Sequence, residues 1–364
     1  MNAVLQAPTE AALAPGWVAQ QVVLWQVTHG RHGMPWQGTR DPYRVWLSEI
    51  MLQQTQVAAV RAYFERFVLR FPDVRSLADA SQDEVLALWA GLGYYSRARN
   101  LHACAQQVVQ LHAGRFPESA EVLRTLPGIG RSTASAIAAF CFGERVAILD
   151  GNVKRVLTRL LGYGLDLSVP AHERALWDHA TELLPRHDLA RDMPRYTQGL
   201  MDLGATVCQA RNPSCLICPL RAGCAAYRQG DMQRYPVKTR KLKRSTEAWW
   251  LLWAHDADGR VWLQRRPDAG VWAGLYCLPV FAAFDDLVQA VPANQASALR
   301  EIAVFTHVLT HKDLVLHPVR VELPAAALAG QDGAWVDAQR IAMLGLPAPI
   351  KKLLSPTSAL ATAR

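Results

Sequence analysis

Four of the chain's seven cysteines fall in one stretch, VCQARNPSCLICPLRAGC, with the spacing C-x6-C-x2-C-x5-C from Cys208 to Cys224. Thiols at that density are metal ligands far more often than unpaired core residues. A structural zinc site normally uses two close pairs, and here only Cys215 and Cys218 form one. Four thiolates so close together also suit a [4Fe–4S] cluster. The spacing favours the cluster and leaves zinc open. An odd cysteine total with four clustered is not a disulfide framework, so a reducing, cytoplasmic setting is expected.

A second pattern is LPGIGRSTASAIAAF, from Leu126 to Phe140. Gly128 and Gly130 permit a tight turn with positive φ. The turn opens into an Ala-rich helix with Ser132 and Thr133 near its start. Exposed N–H groups at such a helix start receive phosphate. A hairpin of this kind grips a nucleic-acid backbone without reading bases.

Two acids have the surroundings for chemistry. Glu49 lies in VWLSEIML, where its helical neighbours are Val45, Trp46, Leu52 and Gln53, none a cation. Burial there raises a carboxyl pKa and lets it hold a proton near neutral pH. Asp150, in AILDGNVKR, follows an apolar run and precedes a glycine. It suits an anion in a site and equally an N-cap for a helix starting near Val153.

The elements that must position these groups follow from patterning. With 364 residues, two domains are expected, and 51% hydrophobic residues supply sizeable cores. The net charge of +8 points to a polyanionic partner, nucleic acid before membrane surface. The N-terminus lacks a signal-peptide pattern. No apolar run reaches the roughly 18–20 residues of a membrane span. From Trp17 to about Gln229 the apolar spacing is helical, including PYRVWLSEIMLQQTQVAAVRAYFERFVLRF with Asp41 and Pro42 as its start signal. An all-α domain over 1–229 follows, with the hairpin element at about 124–143. Residues 230–245 read as a basic linker, most of it solvated. Residues 246–354 read as an α+β domain opened by a hairpin at Asp-Ala-Asp-Gly, and 355–364 as a frayed tail.

The cysteine run, LPGIGRSTA, WLSEIMLQQTQV, GLGYYSRARNLH and ILDGNVKRVL together resemble the endonuclease III superfamily of DNA glycosylases, and within it the adenine DNA glycosylases. The resemblance spans about Trp25 to Leu354. It implies a helix-hairpin-helix domain with one [4Fe–4S] cluster on Cys208, Cys215, Cys218 and Cys224. It also implies a Nudix-like second domain and a monomer acting on double-stranded DNA with adenine opposite 8-oxoguanine or guanine. In a bacterium the protein would be cytoplasmic and nucleoid-associated. Breaking an N-glycosidic bond needs an acid for the leaving base and an anion for the oxocarbenium-like sugar. The resemblance gives these roles to Glu49 and Asp150, with Asn152 supporting Asp150. Adenine must first be flipped from the duplex. Arg31, Trp36 and Gln198 are implied for the adenine pocket, Gln54 and Tyr94 as wedges in the stack, and Thr55 and Leu92 for the opposite base. Gly128, Gly130, Lys154, Arg211 and Arg221 are implied for the DNA backbone. Ser132 stands where strand-cutting relatives carry a Schiff-base lysine, which implies base removal without strand cleavage.

In the second domain, VWAGLYCLPVF matches the family's Nudix-like segment, and Phe305, Thr306 and His307 match a segment inserted near the oxidised guanine. LREIAVF, Leu299 to Phe305, lacks the acidic pair of a Nudix hydrolase, so no pyrophosphatase activity is expected. His307 and His311, taken as one strand, would stand roughly 13 Å apart, too far to share an ion. Three other activities compete: a glycosylase that also cuts the strand at oxidised pyrimidines, a nucleotide pyrophosphatase, and a non-catalytic iron–sulfur DNA-binding protein. The missing lysine, the missing Nudix carboxylates and the retained Glu49 and Asp150 argue against them in turn.

Overall fold

The structure, a computed structural model, describes residues 15–240 and 243–355. The expected frayed tail, beyond Ser355, lies outside the described residues, as do Lys241 and Leu242 of the basic linker. The chain divides into two compact units. The first takes in residues up to Arg75 and from Ala103 to Lys241; the second takes in Ser76–His102 and everything from Leu242.

The helices run α1 (Pro15–His29), α2 (Pro42–Leu52), α3 (Val57–Arg70), α4 (Val74–Ala78), α5 (Gln82–Trp89), α6 (Ser96–His112), α7 (Ala120–Leu123) and α8 (Arg131–Ile137). They continue with α9 (Gly151–Leu161), α10 (Pro170–Glu182), α11 (Leu189–Asp202) and α12 (Ala225–Gln229). The helical spacing of Pro42 to Phe71 is carried by two helices. Asp41 caps the first through Tyr43 N at 3.0 Å. The helix stops at Leu52, because Gln54 turns left-handed at φ 55° and Thr55 N–H closes the turn on Leu52 O. The core of this unit joins Val18 and Val22 of α1, Val153, Val156 and Leu160 of α9, Trp177 of α10, and Tyr196 and Leu200 of α11. That core fixes α9 and α11, the two helices that carry Asn152 and Gln198.

The second unit is built on an eight-stranded sheet. Its strands are β1 (Ser245–His255), β2 (Val261–Arg265), β3 (Tyr276–Cys277), β4 (Val280–Phe281), β5 (Arg300–Glu301), β6 (Phe305–Val308), β7 (Lys312–Glu322) and β8 (Ala334–Val336). The central path is β3-β2-β1-β7-β5, with β4 on β1, β6 on β7 and β8 on β2. β1 and β7 pair in parallel from Ser245↔Lys312 to His255↔Glu322, and the other pairs are antiparallel. The inner part of β1, from Leu251 to Ala254, is buried on both faces, which suits a central parallel strand.

Three findings change the reading of this half. The segment from Ser76 to His102, which looked like part of the helical domain, packs with the sheet: Arg99 Nη1 donates to Ala273 O at 2.6 Å, and Leu86 lies against Gly345. His307 and His311 are not on one strand, because the chain turns between β6 and β7 with Leu309 N–H on Lys312 O. The strand-length argument for keeping them apart therefore fails. Finally, the Leu299–Phe305 segment is strand and coil, with Arg300 and Glu301 exposed on the edge strand β5. Among the described residues, no helix is long and apolar enough to cross a membrane.

Candidate active site

A cleft of about 990 Å³ opens in the helical unit, lined in part by Arg31, Trp36, Glu49, Asp150, Asn152 and Gln198. Five separate stretches of sequence meet there. Glu49 projects from α2. Its edge is open to the cleft, yet the surrounding protein removes most of its water. Burial first, and the negative charge of Asp150 second, push its pKa up to about 7. No hydrogen-bond or ion-pair partner reaches it among the described residues. Its state is therefore poised between acid and base near neutral pH.

Asp150 is the N-cap of α9, accepting Val153 N–H at 2.7 Å. The cap and the anion in the cleft are thus one residue. Burial raises its pKa, while the Val153 and Asn152 amides and the charges of Arg155 and Lys154 act in the opposite direction. Burial prevails, so its pKa stays above the ordinary carboxylate value, and the amides and cations limit the rise.

Asn152 meets Asp150 through its backbone amide, not its carboxamide. Its Oδ1 instead accepts from Arg155 Nη2 at 2.9 Å, and Arg155 also donates to Cys208 O at 2.7 Å. The start of α9 can sit this close to the chain after α11 because residue 204 is glycine. A Cβ there would stand 2.6 Å from Asn152 Cβ.

Asp202 is a member of the site that sequence reading missed. It is wholly buried and accepts from Arg31 N (2.9 Å), Arg31 Nε (2.7 Å) and Gln198 Nε2 (2.8 Å). One carboxylate thereby orients Arg31 and Gln198 together. Gln37 adds a clamp, donating to Arg31 O and accepting from Met34 N–H. The spacing Gln198–Asp202 on α11 is a same-face signal, but the partner at Arg31 lies too far away in sequence to be read. Exposed Arg40 and Arg195 also line the cleft and were not anticipated. Trp36 is buried, edge-on to Phe64 at 5.3 Å.

Ser132 does not line the cleft. Its Oγ accepts Leu149 N–H at 3.2 Å, holding the strand-like run that delivers Asp150. In the hairpin between α7 and α8, only Gly128 has positive φ, at 74°. Gly130 is extended, at φ −80° and ψ 171°, and serves as the N-cap with no side chain on the first-turn amides. Nothing lies within 4 Å of its missing Cβ, so a ligand could approach its backbone closely. Lys154 is already paired with Glu173 at 2.5 Å, unlike exposed Arg211. Arg221 is exposed and donates to Leu216 O.

Gln54 and Tyr94 share a rare feature, each a non-glycine residue in the left-handed region, at φ 55° and 49°. Such strain clusters at active sites, ligand clamps and switch regions. Both are exposed. Thr55 lines the cleft, whereas Leu92 is buried, its N–H donated to Trp89 O and its carbonyl accepting from Arg97 Nη2. On β6, Thr306 is exposed, and His307 packs against Trp272 at 5.9 Å, where burial lowers its pKa.

The four clustered cysteines are half-buried, and Cys208, Cys218 and Cys224 pack on the helical core. They lie close enough to feel one another's charge. Among the described residues, no three His, Cys, Asp or Glu side chains converge closely enough to hold one metal ion. The donors do fit a thiolate cluster. Amide N–H groups of Leu220, Ala226 and Tyr227 point at Cys218 and Cys224, and Arg159 Nη1 lies 3.4 Å from Cys208 Sγ. Hydrogen bonds to sulfur are what anionic iron–sulfur ligands need.

Residues 47–179 match the family model of the HhH-GPD superfamily base excision DNA repair proteins, and residues 248–356 match a NUDIX domain. The adenine DNA glycosylase of Buchnera aphidicola subsp. Acyrthosiphon pisum is 34% identical over 92% of this chain and 96% of its own length. The Homo sapiens adenine DNA glycosylase is 44% identical over 54% of this chain and 35% of its own. Among solved structures, a thermostable thymine-DNA glycosylase aligns with a TM-score of 0.54 and 27% identity, covering 61% of this chain and all of that one. With a helix-hairpin-helix unit, a strand-rich Nudix-like unit and relatives of this extent, the chain belongs to the adenine DNA glycosylases, DNA N-glycosylases that remove adenine in base excision repair.

Proposed function

We propose that this enzyme removes adenine paired with 8-oxoguanine, and more slowly adenine paired with guanine, and leaves an abasic site without cutting the strand. The observation that carries the chemistry is a carboxyl poised near neutrality, Glu49, in the same cleft as a second carboxyl, Asp150, which accepts the Val153 amide. In this reading Glu49 gives its proton to N7 of the flipped adenine. The C1′–N9 bond breaks and its electron pair leaves with the base. Asp150 stabilises the oxocarbenium-like sugar, water adds at C1′, and ionised Glu49 accepts the proton that water releases. Asn152 holds Asp150 by its amide. Arg31, Trp36 and Gln198 receive the adenine. Ser132, with no amine to offer, leaves hydrolysis as the outcome.

Gln54 and Tyr94 would enter the stack. Thr55, Leu92, Phe305, Thr306 and His307 would meet the opposite base. A [4Fe–4S] cluster on Cys208, Cys215, Cys218 and Cys224, when bound, would cross-link the loop that presents Arg211 and Arg221 to phosphate. The test of base choice is single-turnover adenine release from duplexes that differ only opposite the adenine. Faster release opposite 8-oxoguanine than guanine, and none opposite thymine, is expected. Equal rates for all three would overturn the proposed selectivity.

The free and paired cations give a separate expectation. Arg211→Ala should lower the slope of log K against log salt by about 0.9, one phosphate contact. Lys154→Ala should leave that slope unchanged, since its charge is held by Glu173. Equal slopes for Arg211→Ala and the parent would exclude Arg211 from the interface.

A further inference from the structure

We infer that Thr310 is a positioning residue for Tyr94, holding the phenol in the direction in which it enters the base stack. This rests on the reading of Tyr94 as a wedge. The turn between α5 and α6 is built to present one side chain. Gly91, Gly93 and Tyr94 all have positive φ, at 109°, 71° and 49°. The turn's backbone is braced from inside. Trp89 Nε1 donates to Gly93 O at 3.0 Å, and Arg97 Nη2 donates to Leu92 O and Gly93 O, each at 3.3 Å. The next residue, Tyr95, is anchored by its hydroxyl on Leu346 O at 3.2 Å.

The Tyr94 ring is treated differently. It remains 41% exposed, with the Arg97 guanidinium 5.3 Å from its centroid. Its only described tie at the far end is a short hydrogen bond between its hydroxyl and Thr310 Oγ1. Thr310 is exposed in the tight β6–β7 turn, closed by Leu309 N–H on Lys312 O. That turn follows directly on Phe305, Thr306 and His307. The hairpin proposed to meet the opposite base therefore also aims the wedge. A strained backbone sets where the ring starts, and Thr310 sets where it ends, so little rotamer freedom is left to lose on insertion.

The test is a double-mutant cycle on the full-length protein. Thr310→Val keeps the side-chain shape and removes the hydroxyl; Tyr94→Phe removes the other partner. Binding is read at fixed salt as the Kd for a mispaired duplex, and insertion as the fluorescence change of 2-aminopurine beside the mispair. Each single variant should raise Kd about 2- to 10-fold, the range of one net hydrogen bond. The pair together should do no more than either alone, and Thr310→Ser should retain parental binding. Additive losses, or a neutral Thr310→Val beside a weakened Tyr94→Phe, would overturn the proposal. Tyr94→Ala separates the two ideas. If removing the ring leaves the fluorescence change intact, the wedge reading fails; if it abolishes the change while Thr310→Val is silent, only the positioning role fails.

Discussion

Glu49→Gln should abolish adenine release by on the order of 10³-fold and yet make the protein more stable at alkaline pH. The loss follows from the role: glutamine keeps the shape and cannot deliver a proton, and general acid catalysis supplies roughly 10²–10⁴-fold. The gain follows from linkage. Glu49 is raised from 4.5 to about 7, so between those values the folded protein holds a proton that the unfolded chain has lost. Stability attributable to this group is therefore highest in acid, declines as pH rises through that window, and is flat above it. Glutamine removes the decline. The gain above pH 7 is on the order of 3 kcal/mol at most, less whatever water reaches the open edge. The rate should follow the same acid form, falling about tenfold per unit above pH 7. Single-turnover rates and melting curves from pH 5 to 9 check both. A variant that is inactive and less stable at pH 8 would show that Glu49 is a structural ion.

Asp202→Asn should damage the pocket without touching the acid. The buried carboxylate accepts three N–H groups. An amide offers only one oxygen, and its NH2 then faces donors of Arg31 or Gln198. Losing charge-assisted bonds at a fully buried site costs roughly 2–4 kcal/mol. The melting temperature should drop, and adenine release should slow by roughly 10- to 100-fold as Arg31 and Gln198 lose their orientation. The pH at which the rate declines should stay near that of the parent, because Glu49 does not contact Asp202. A shift in that pH with no loss of stability would contradict this assignment.

The parts of the site legible in sequence are those written locally. The absence of cations at helical spacing around Glu49 foretold its raised pKa. Asp150 before a glycine foretold both its cap and its place at the start of α9. The close cysteine spacing foretold four thiols gathered in one loop, near enough to feel one another's charge. What was not legible depends on residues far apart in the chain. Arg31 and Asp202 are 171 positions apart, and no local pattern marks that pair. No local pattern joins Lys154 to Glu173 on the next helix either. Backbone strain was hidden as well, since nothing about Gln54 or Tyr94 as residue types announces a left-handed conformation. Gly130 errs the other way, being a glycine that does not use its positive-φ freedom and serves instead by leaving space. In the second unit the hairpin and strands were readable from the β-rich runs around Asp-Ala-Asp-Gly, whereas the parallel β1–β7 pairing was not, because it joins segments through a long connection. The packing of residues 76–102 with that sheet had no local sign either, since their spacing is helical wherever they dock.

The most direct test of the account is one duplex carrying a single adenine opposite 8-oxoguanine, with free adenine and strand ends followed separately in a single turnover. Hydrolysis directed by Glu49 and Asp150, with serine at position 132, predicts stoichiometric adenine release and an intact strand until alkali or an abasic-site nuclease is added. Strand breaks appearing at the rate of base release, or no adenine release at all, would contradict it.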